Sequence, residues 1–451
     1  MAYGKKGKRM SPTTRTRIIG TALIIMVLTV LATQNASGQQ PGDNKIMPFW
    51  LGMERIYDCA RIETKDKSET AQTAVRELLN YWRGRAVTLK KDNKMPDNGG
   101  FVIIRPRKGG RTIIKARRSI GLLYGAYELL RQQAVCGISA TKTPIFKSYV
   151  PVFHHRIFNP TLPDGDKSAY GSTGLPLLNW SDINGKMGTM GIDQKERLTT
   201  FARANAAIGI NGTVINAPNT KSNLLTNEYI DKIKVIADLL QPYGITAYIK
   251  VDIDSPSLIG ELGANRPPDK SIKEWWKKKA KDIYKKIPHL GGFFVTVDTS
   301  EPNEGNKDIQ TLSSSVNILA EALAPYKGFV IWYTGKNISS RNNTLAENVI
   351  LHDADCRHIQ SRQERNGTCR RISNFPQTYW YAFGRLTWNP ELSSDSVTNE
   401  LSKQAHLRRM GSSGIMTKTI TAVLKACADD IKHTISKWNT MKFNDTGERK
   451  K

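Results

Sequence analysis

In residues 201–219 the pattern of hydrophobic and polar positions changes from the period of a helix to that of a strand. The interpretation of the rest of the chain starts from this stretch. The stretch FARANAAIGINGTVINAPN predicts a helix to Ala207, a tight turn at Gly209–Gly212 and a short β-branched strand. Glycine suits the turn because it adopts positive φ without a Cβ penalty. The strand ends in polar Asn216 and Asn219. This order is typical of the repeat of a parallel barrel, although any α/β protein can show it.

Strand and helix patterns continue to alternate on both sides of this stretch. The predicted strands are Val152–Phe158, Thr213–Ala217, Thr246–Val251, Phe293–Val297, Phe329–Trp332 and Asn348–Leu351. The predicted helices between them are Lys195–Ala207, Glu228–Leu240, Lys273–Lys286 and Ser313–Leu323. A closed (β/α) barrel has eight strands, and only six are evident here. We therefore predict a TIM-like barrel that is shortened.

The region before the barrel has a different pattern, with two helices around a group of strands. The helices are predicted at Ala71–Arg83 and Arg118–Gln133, and the strands at Ala86–Leu89, Phe101–Arg105 and Thr112–Ala116. The chain is therefore assigned to the α/β class, with an N-terminal α/β domain before the barrel and a helical C-terminal end. The predicted divisions are 1–39 (signal peptide), 40–145 (N-terminal α/β domain), 146–395 (barrel) and 396–451 (helical region with a last helix at Thr417–Trp438, and tail).

The N-terminus has the three parts of a secretory signal. A basic region extends to Arg17, the apolar run Ile18–Thr33 follows, and small residues occur at Ala36–Gly38. The apolar run is short for a membrane-spanning helix. The sequence therefore predicts export to the periplasm or the outside of the cell, and an uncleaved membrane anchor is the alternative.

Charge and cysteine content narrow the classes of partner. Lysine and arginine number 67 against 40 acidic residues, which gives a net charge of +27. No nucleic-acid-binding motif accompanies this charge, so we expect a solvated basic surface or attraction to an acidic polysaccharide or cell surface. Of the five cysteines, Cys356 and Cys369 could close a small loop or remain single thiols. None has metal-ligand spacing, and we predict no metal and no cofactor. A homodimer is left open.

Candidate catalytic groups follow from the rule that barrel enzymes carry their working residues at the carboxyl ends of the strands. Acids occur after the fourth strand, at Asp298 and Glu301, and after the sixth, at Asp353 and Asp355. Glycoside hydrolysis needs a proton donor and a second carboxylate, and these acids could supply both. Surface acids and helix caps are the alternative interpretation. Asn216, Asp298, Trp332 and Tyr333 complete the predicted sugar-facing set.

Three segments carry a family resemblance. The segments ARANAAIGINGTVIN, GLLYGAYELLR and QTYWYAFGRLTWNPELSSDSV resemble bacterial α-glucuronidases of glycoside hydrolase family 67. The resemblance covers roughly residues 70–400 and is strongest at 201–219 and 377–395. It implies a barrel enzyme that removes 4-O-methylglucuronic acid from xylan fragments with inversion and without a metal.

The resemblance also assigns roles to individual residues. GGFFVTVDTSEP keeps the family's Ser-Glu pair as Ser300 and Glu301, which implies that Glu301 is the general acid. The family lysine and arginine that contact the substrate carboxylate fall on Thr296 and Tyr333. The seventh and eighth strands and their base carboxylate have no counterpart between residues 357 and 377. Asp355, or Asp353, is left as the replacement base.

Three hypotheses for function follow. The first is an exported glycoside hydrolase of the α-glucuronidase type that acts on glucuronoxylan oligosaccharides. The second is a catalytically degenerate paralogue that binds an acidic glycan. The third is a hydrolase of changed specificity. The predicted partner in each case is an oligosaccharide or polysaccharide, and not a nucleic acid.

Overall fold

The computed structural model describes most of the chain between residues 47 and 404. The described residues are 47–58, 60–107, 110–159, 183, 190–215, 225–262, 269–296, 309–334, 349–353 and 376–404, with single positions 422, 425, 426, 428, 429 and 432. These six single positions are helical and fall within the predicted last helix. The predicted signal segment, Cys356 and Cys369 lie outside the described residues.

The first sheet has five strands: β1 Ile62–Thr64, β2 Val87–Lys91, β3 Phe101–Arg105, β4 Thr112–Ala116 and β5 Ile145–Tyr149. Their order is β1-β2-β4-β3-β5, with β3 antiparallel to both of its neighbours and the other pairs parallel. In β3 and β4 every second residue is buried, which is the period expected of a half-buried sheet. The three predicted strands of this region are confirmed. The two strands that the sequence did not predict, β1 and β5, lie at the edges of the sheet. Their residues are less buried, so the hydrophobic alternation is weaker there.

Two helices accompany the first sheet, α1 Glu69–Tyr81 and α2 Ser119–Cys136. Helix α1 begins where the Ser68 hydroxyl accepts a hydrogen bond from the Ala71 N–H at 3.3 Å, because serine satisfies one of the free N–H groups of a first turn. Helix α2 is buried over much of its length and contacts α1, β4 and β3. Its end carries Cys136, an exposed free thiol.

The second sheet has six parallel strands in sequential order: β6 Ile157–Phe158, β7 Gly212–Ile215, β8 Thr246–Val251, β9 Gly292–Thr296, β10 Phe329–Thr334 and β11 Val349–Asp353. The helices between them are α3 Ile192–Ala207, α4 Asn227–Leu240, the short α5 Ser255–Leu258, α6 Lys270–Lys286 and α7 Ile309–Leu323. All six predicted strands are present, and the α/β class is confirmed. The six strands form a curled, half-barrel sheet; its closure into a barrel stays a prediction.

Strand β6 is shorter than the predicted strand Val152–Phe158. The Val152 N–H donates to the Trp388 carbonyl at 2.9 Å, and the Arg156 side chain turns back to donate to the Phe153 carbonyl at 2.6 Å. These bonds hold residues 152–156 in an irregular path. Hydrophobic pattern alone could not reveal them.

The two faces of the second sheet belong to different clusters. One face packs on the helices in the main core, as where Trp276 of α6 contacts Phe293 of β9 with ring centroids 5.8 Å apart. The opposite face carries a small separate cluster, here called the inner cluster, which consists of Val214, Tyr248, Phe294 and Ile331 with Ile157 packed against it. Because one residue of each strand from β6 to β10 contributes, the inner cluster runs across the concave face of the sheet.

Two further helices, α8 Pro376–Trp388 and α9 Ser394–Gln404, pack near the amino end of the second sheet. The Trp380 indole N–H donates to Asn205 Oδ1 of α3 at 2.9 Å, and the same ring stacks on Phe201 at 5.7 Å between centroids. The two segments that carry the strongest family resemblance therefore pack against each other. Among the residues described, no helix is long and apolar enough to cross a membrane.

Candidate functional site

The carboxyl edge of the second sheet is the site that the topology favours, because all six strands end there in the same direction. Residues that reach this edge are Asn159 after β6, Asp252 and Asp254 after β8, Thr296 at the end of β9, and Asp353 at the end of β11. Polar groups from separated parts of the chain are therefore brought to one edge.

Register fixes which of these positions are neighbours. Tyr333 of β10 pairs with Thr296 of β9 on one side and with His352 of β11 on the other, and Thr334 pairs with Asp353. Since adjacent strands lie about 4.8 Å apart, the ends of β9 and β11 are about 9–10 Å apart. The expectation that β11 lies two strands from β9 is confirmed by the strand order.

Local hydrogen bonds hold the loop after β8. Asp252 Oδ1 accepts the Asp254 N–H at 2.9 Å, and the Asp252 carbonyl accepts the Ser255 hydroxyl at 2.6 Å. Such short-range bonds from an aspartate to the following backbone are typical of a turn that starts a helix, here α5. A structural role at the turn therefore accounts for Asp252 without a ligand.

Asn159 is different, because its position at the edge is not explained by a contact. Its Oδ1 atom is buried and has no hydrogen-bond partner among the described residues. Phe158 stacks on Trp380 in the main core, so by alternation Asn159 shares the face of Ile157, which packs on the inner cluster. A buried acceptor without a donor is unfavourable. A ligand hydroxyl at the concave edge would satisfy it.

Strand β8 places a lysine on the same concave face. Ile249 and Val251 are fully buried in the main core, whereas Tyr248 belongs to the inner cluster. Lys250 therefore lies on the concave face, two residues before Asp252, and its side chain is half-buried. The sequence signal for Lys250 was present as a lone charge in the apolar strand TAYIKV, but a search of strand ends alone does not select it.

The structure describes some of the predicted site residues and not others. Glu301, Asp355, Asn216 and Asp298 lie outside the described residues. Asp353 and Tyr333 lie at the register positions given above. Trp332 needs a correction: it is 0% exposed and belongs to the main core rather than to the inner cluster. The alternation of β10 directs Ile331 to the concave face and Trp332 to the helices, so the Trp332 ring does not face a sugar at the concave edge.

A cavity of about 530 Å³ lies at the other end of the sheet, between α2, β5, α8 and α9. Its charged groups pair with one another, since Glu400 Oε2 accepts Arg385 Nε at 3.0 Å and Glu400 Oε1 accepts Arg131 Nη1 at 2.5 Å. Burial of Glu400 opposes ionisation, but Arg385 and Arg131 outweigh it and lower the pKa of Glu400 to about 2. Paired charges of this kind hold elements together. In the described ranges, no group of three His, Cys, Asp or Glu residues could hold a metal ion.

The comparison with known proteins finds a family match within the second sheet. Residues 181–344 match the glycosyl hydrolase family 67 middle domain. The matched span includes strands β7 to β10 and the helices between them. This region of the chain is related to glycoside hydrolase family 67.

Curated relatives support the same assignment. The probable alpha-glucuronidase A of Aspergillus clavatus is 30% identical over 287 residues, which are 62% of this chain and 32% of that protein. The alpha-glucuronidase of Hypocrea jecorina is 29% identical over 272 residues, which are 58% of this chain and 30% of that protein. The chain thus spans about a third of the length of these fungal relatives. The bacterial type expected from the sequence is not supported by them.

Solved structures show only a weak overall likeness to this family 67 relative. A beta-N-acetylhexosaminidase from Bacteroides fragilis covers 66% of this chain, and this chain covers 66% of it, with a TM-score of 0.41 and 14% identity. Nothing about activity follows from a likeness of this size.

Proposed function

We propose that this chain is a glycoside hydrolase of the α-glucuronidase type that acts on glucuronoxylan oligosaccharides by inverting acid/base hydrolysis. The observation that carries the proposal is the match of residues 181–344 to the family 67 middle domain. The matched span contains the Ser300–Glu301 pair that the sequence resemblance identifies with the family's general acid. The curated relatives described above are named alpha-glucuronidases.

In the proposed reaction Glu301 donates a proton to the glycosidic oxygen, and Asp355, or Asp353, removes a proton from the attacking water. Inversion requires two carboxyl groups about 6.5–9.5 Å apart, so that a water molecule fits between the base and the sugar. The two acids follow β9 and β11 in sequence, and the ends of these strands lie about 9–10 Å apart. Asn216, Asp298 and Tyr333 remain the proposed sugar contacts.

Export belongs to the same proposal. The basic region, apolar run and small residues at the start of the sequence favour secretion, with an uncleaved anchor as the alternative. An exported enzyme would meet xylan fragments outside the cytoplasm. Detection of the chain in the culture medium or periplasmic fraction, cleaved near residue 38, is the expected result.

The deciding experiment measures release of 4-O-methylglucuronic acid from aldouronic oligosaccharides by the purified chain. Glu301→Gln should lower kcat by about 10²–10⁴-fold, because it removes the proton donor and keeps the side-chain shape. The control is Glu228→Gln, whose side chain on α4 is 81% exposed, and it should retain full activity. Equal kcat values for the wild type and Glu301→Gln would remove Glu301 from the mechanism.

A second candidate function is binding of an acidic glycan without hydrolysis. It is favoured by Thr296 and Tyr333, which stand where the resemblance implies a lysine and an arginine, since neither replaces a charge-assisted contact to a carboxylate. Binding of the aldouronic oligosaccharide by a folded protein that releases no sugar would support this candidate. Turnover of another glycoside would support a hydrolase of changed specificity.

A further inference from the structure

Lys250 occupies an unusual place for a lysine. It lies in the middle of a six-strand parallel sheet, on β8, with β7 and β9 paired on either side. Its two chain neighbours, Ile249 and Val251, are both 0% exposed in the main core. Alternation along the strand therefore puts Lys250 on the concave face.

Two described neighbours of Lys250 on that face are aromatic. Lys250 pairs in register with Phe294, and Tyr248 lies two residues before it; both belong to the inner cluster. Tyr248 is 4% exposed, and burial raises the pKa of its phenol. Lysine is rarely placed in such surroundings without an anionic partner, because removing an ammonium from water is costly.

No described residue supplies that partner. The Lys250 side chain has no ion pair and no hydrogen bond within the ranges that the structure covers. By contrast, the buried Arg203 pairs with Glu77 through bonds of 2.7 and 2.9 Å, and Arg131 and Arg385 share Glu400. Arg156, which is also buried, donates instead to backbone carbonyls. Lys250 has neither kind of partner among the described residues.

The position of Lys250 also lets it reach the edge where a sugar would bind. Asp252, at the carboxyl end of β8, follows two residues later on the same face, a distance of about 6.6 Å along the strand. A lysine side chain can extend over a distance of that order and keep its ammonium group at the more polar end. The ammonium group of Lys250 can thus reach the concave edge.

We propose that Lys250 binds the carboxylate of the sugar in this site and thereby selects glycosides of uronic acids over those of neutral sugars. The proposal rests on the proposed function, because it places an acidic sugar at the carboxyl edge. Thr296 lies on β9, the strand next to Lys250, and Tyr333 lies beside Thr296 on β10; neither carries a positive charge. The ammonium group of Lys250 would donate up to three hydrogen bonds to the carboxylate. Lys250 is then a specificity-determining residue rather than a group that reacts.

The test compares binding of glucuronic acid with binding of its methyl ester, by calorimetry on the full chain. The two ligands share a ring and differ in one negative charge. The wild type should prefer glucuronic acid, and Lys250→Met should lower that affinity about 10- to 100-fold while leaving the ester unchanged, as expected for a hydrogen bond to a charged group. Lys250→Arg should restore part of the preference. Lys278→Met, at an exposed position on α6, should behave as the wild type.

A measurement of thermal unfolding separates binding from structure. Lys250→Met removes a half-buried charge that has no partner, so Tm should stay the same or rise. A fall in affinity for both ligands, a fall in Tm, or a wild type that does not distinguish the ligands would each overturn the proposal. The protein could also prefer glucuronic acid through Lys250 and yet release no sugar. That result would support carboxylate binding by Lys250 and contradict the proposed hydrolase function.

Discussion

The two ends of the six-stranded sheet differ in how their polar groups are satisfied. At the amino end, the buried Arg156 donates to the Gly209 carbonyl at 2.5 Å and lies 4.9 Å from the centre of the Trp388 ring. Asn211 accepts the Arg156 N–H at 2.8 Å and donates to the His154 carbonyl at 2.7 Å. Burial lowers the pKa of Arg156, yet its contacts leave it well bonded. The contacts at the amino end therefore have a structural role.

At the carboxyl end, polar groups are left without partners among the described residues. Asn159 Oδ1 is buried and unbonded, and Lys250 has no anion beside it. An unsatisfied buried group reduces stability. Such atoms are not confined to this end, since Thr213 Oγ1 at the start of β7 and Thr398 Oγ1 of α9 are also buried without a partner among the described residues. The contrast therefore lies in the charged groups, with a bonded Arg156 at the amino end and an unpaired Lys250 at the other. It favours binding at the carboxyl end, as in parallel barrels generally.

The largest effect on stability is expected from Glu400→Gln, at the paired end. Arg131 and Arg385 both pair with this carboxylate, and Arg131 also pairs with Glu128. Removing its charge leaves buried guanidinium groups incompletely paired and should lower the free energy of unfolding by about 3–5 kcal/mol at neutral pH. Urea unfolding followed by circular dichroism measures the loss.

The same residue predicts a pH dependence. The pKa of Glu400 is about 2 in the folded chain, below its ordinary value of 4.5. The stabilisation is therefore complete above pH 4.5 and is lost as the pH falls from 4.5 towards 2. The Glu400→Gln variant should not show this loss of stability between pH 4.5 and 2. Parallel pH profiles for variant and wild type would show that Glu400 is not the group responsible.

A smaller effect is expected from Gly209→Ala, at the turn that joins α3 to β7. Gly209 has φ +87°, and an added Cβ would lie 2.6 Å from Trp388 Cε3. Positive φ and the clash together should cost about 2–4 kcal/mol. The matched control is Gly260→Ala, with φ +76° and no atom within 4 Å of the added Cβ, which should cost only about 1–2 kcal/mol. Equal losses of stability in the two variants would mean that the Trp388 side chain moves away from the added Cβ at no energetic cost.

Much of the fold could be predicted from the sequence, and the reason is visible in particular strands. Strand β8 was predicted with the bounds that the structure gives, Thr246–Val251, because its apolar run lies between a glycine turn and a polar end. Strand β6 was overestimated because the Arg156 and Trp388 contacts that displace residues 152–156 join segments distant in sequence. The hydrophobic pattern of a short stretch of sequence contains no information about contacts with distant segments.

The site was less predictable than the fold. Sequence reasoning selected Trp332 because it stands near the end of β10, but its face depends on strand alternation set by neighbouring strands and helices. Lys250 was overlooked for the converse reason, since only the structure shows that Ile249 and Val251 face the helices. The position of a residue along a strand follows from sequence. The face that it occupies follows from packing.

The smallest effect provides the most direct comparison of the two ends, because each end contains an asparagine with a buried Oδ1 atom. Asn205 Oδ1 accepts the Trp380 indole N–H at 2.9 Å, and its Nδ2 donates to the Phe201 carbonyl at 3.0 Å. Asn205→Ala should therefore cost about 1–3 kcal/mol, since it leaves the indole N–H without an acceptor.

Asn159→Ala should lower the free energy of unfolding by no more than about 0.5 kcal/mol, because Asn159 Oδ1 has no bond to lose in the described chain. The same variant should weaken glucuronic acid binding if a sugar hydroxyl is the missing donor. Urea unfolding of both alanine variants, with calorimetry on Asn159→Ala, measures the two effects. If Asn159→Ala destabilises the protein as much as Asn205→Ala does, the carboxyl end is as closely bonded as the amino end, and the division between a structural end and a binding end fails.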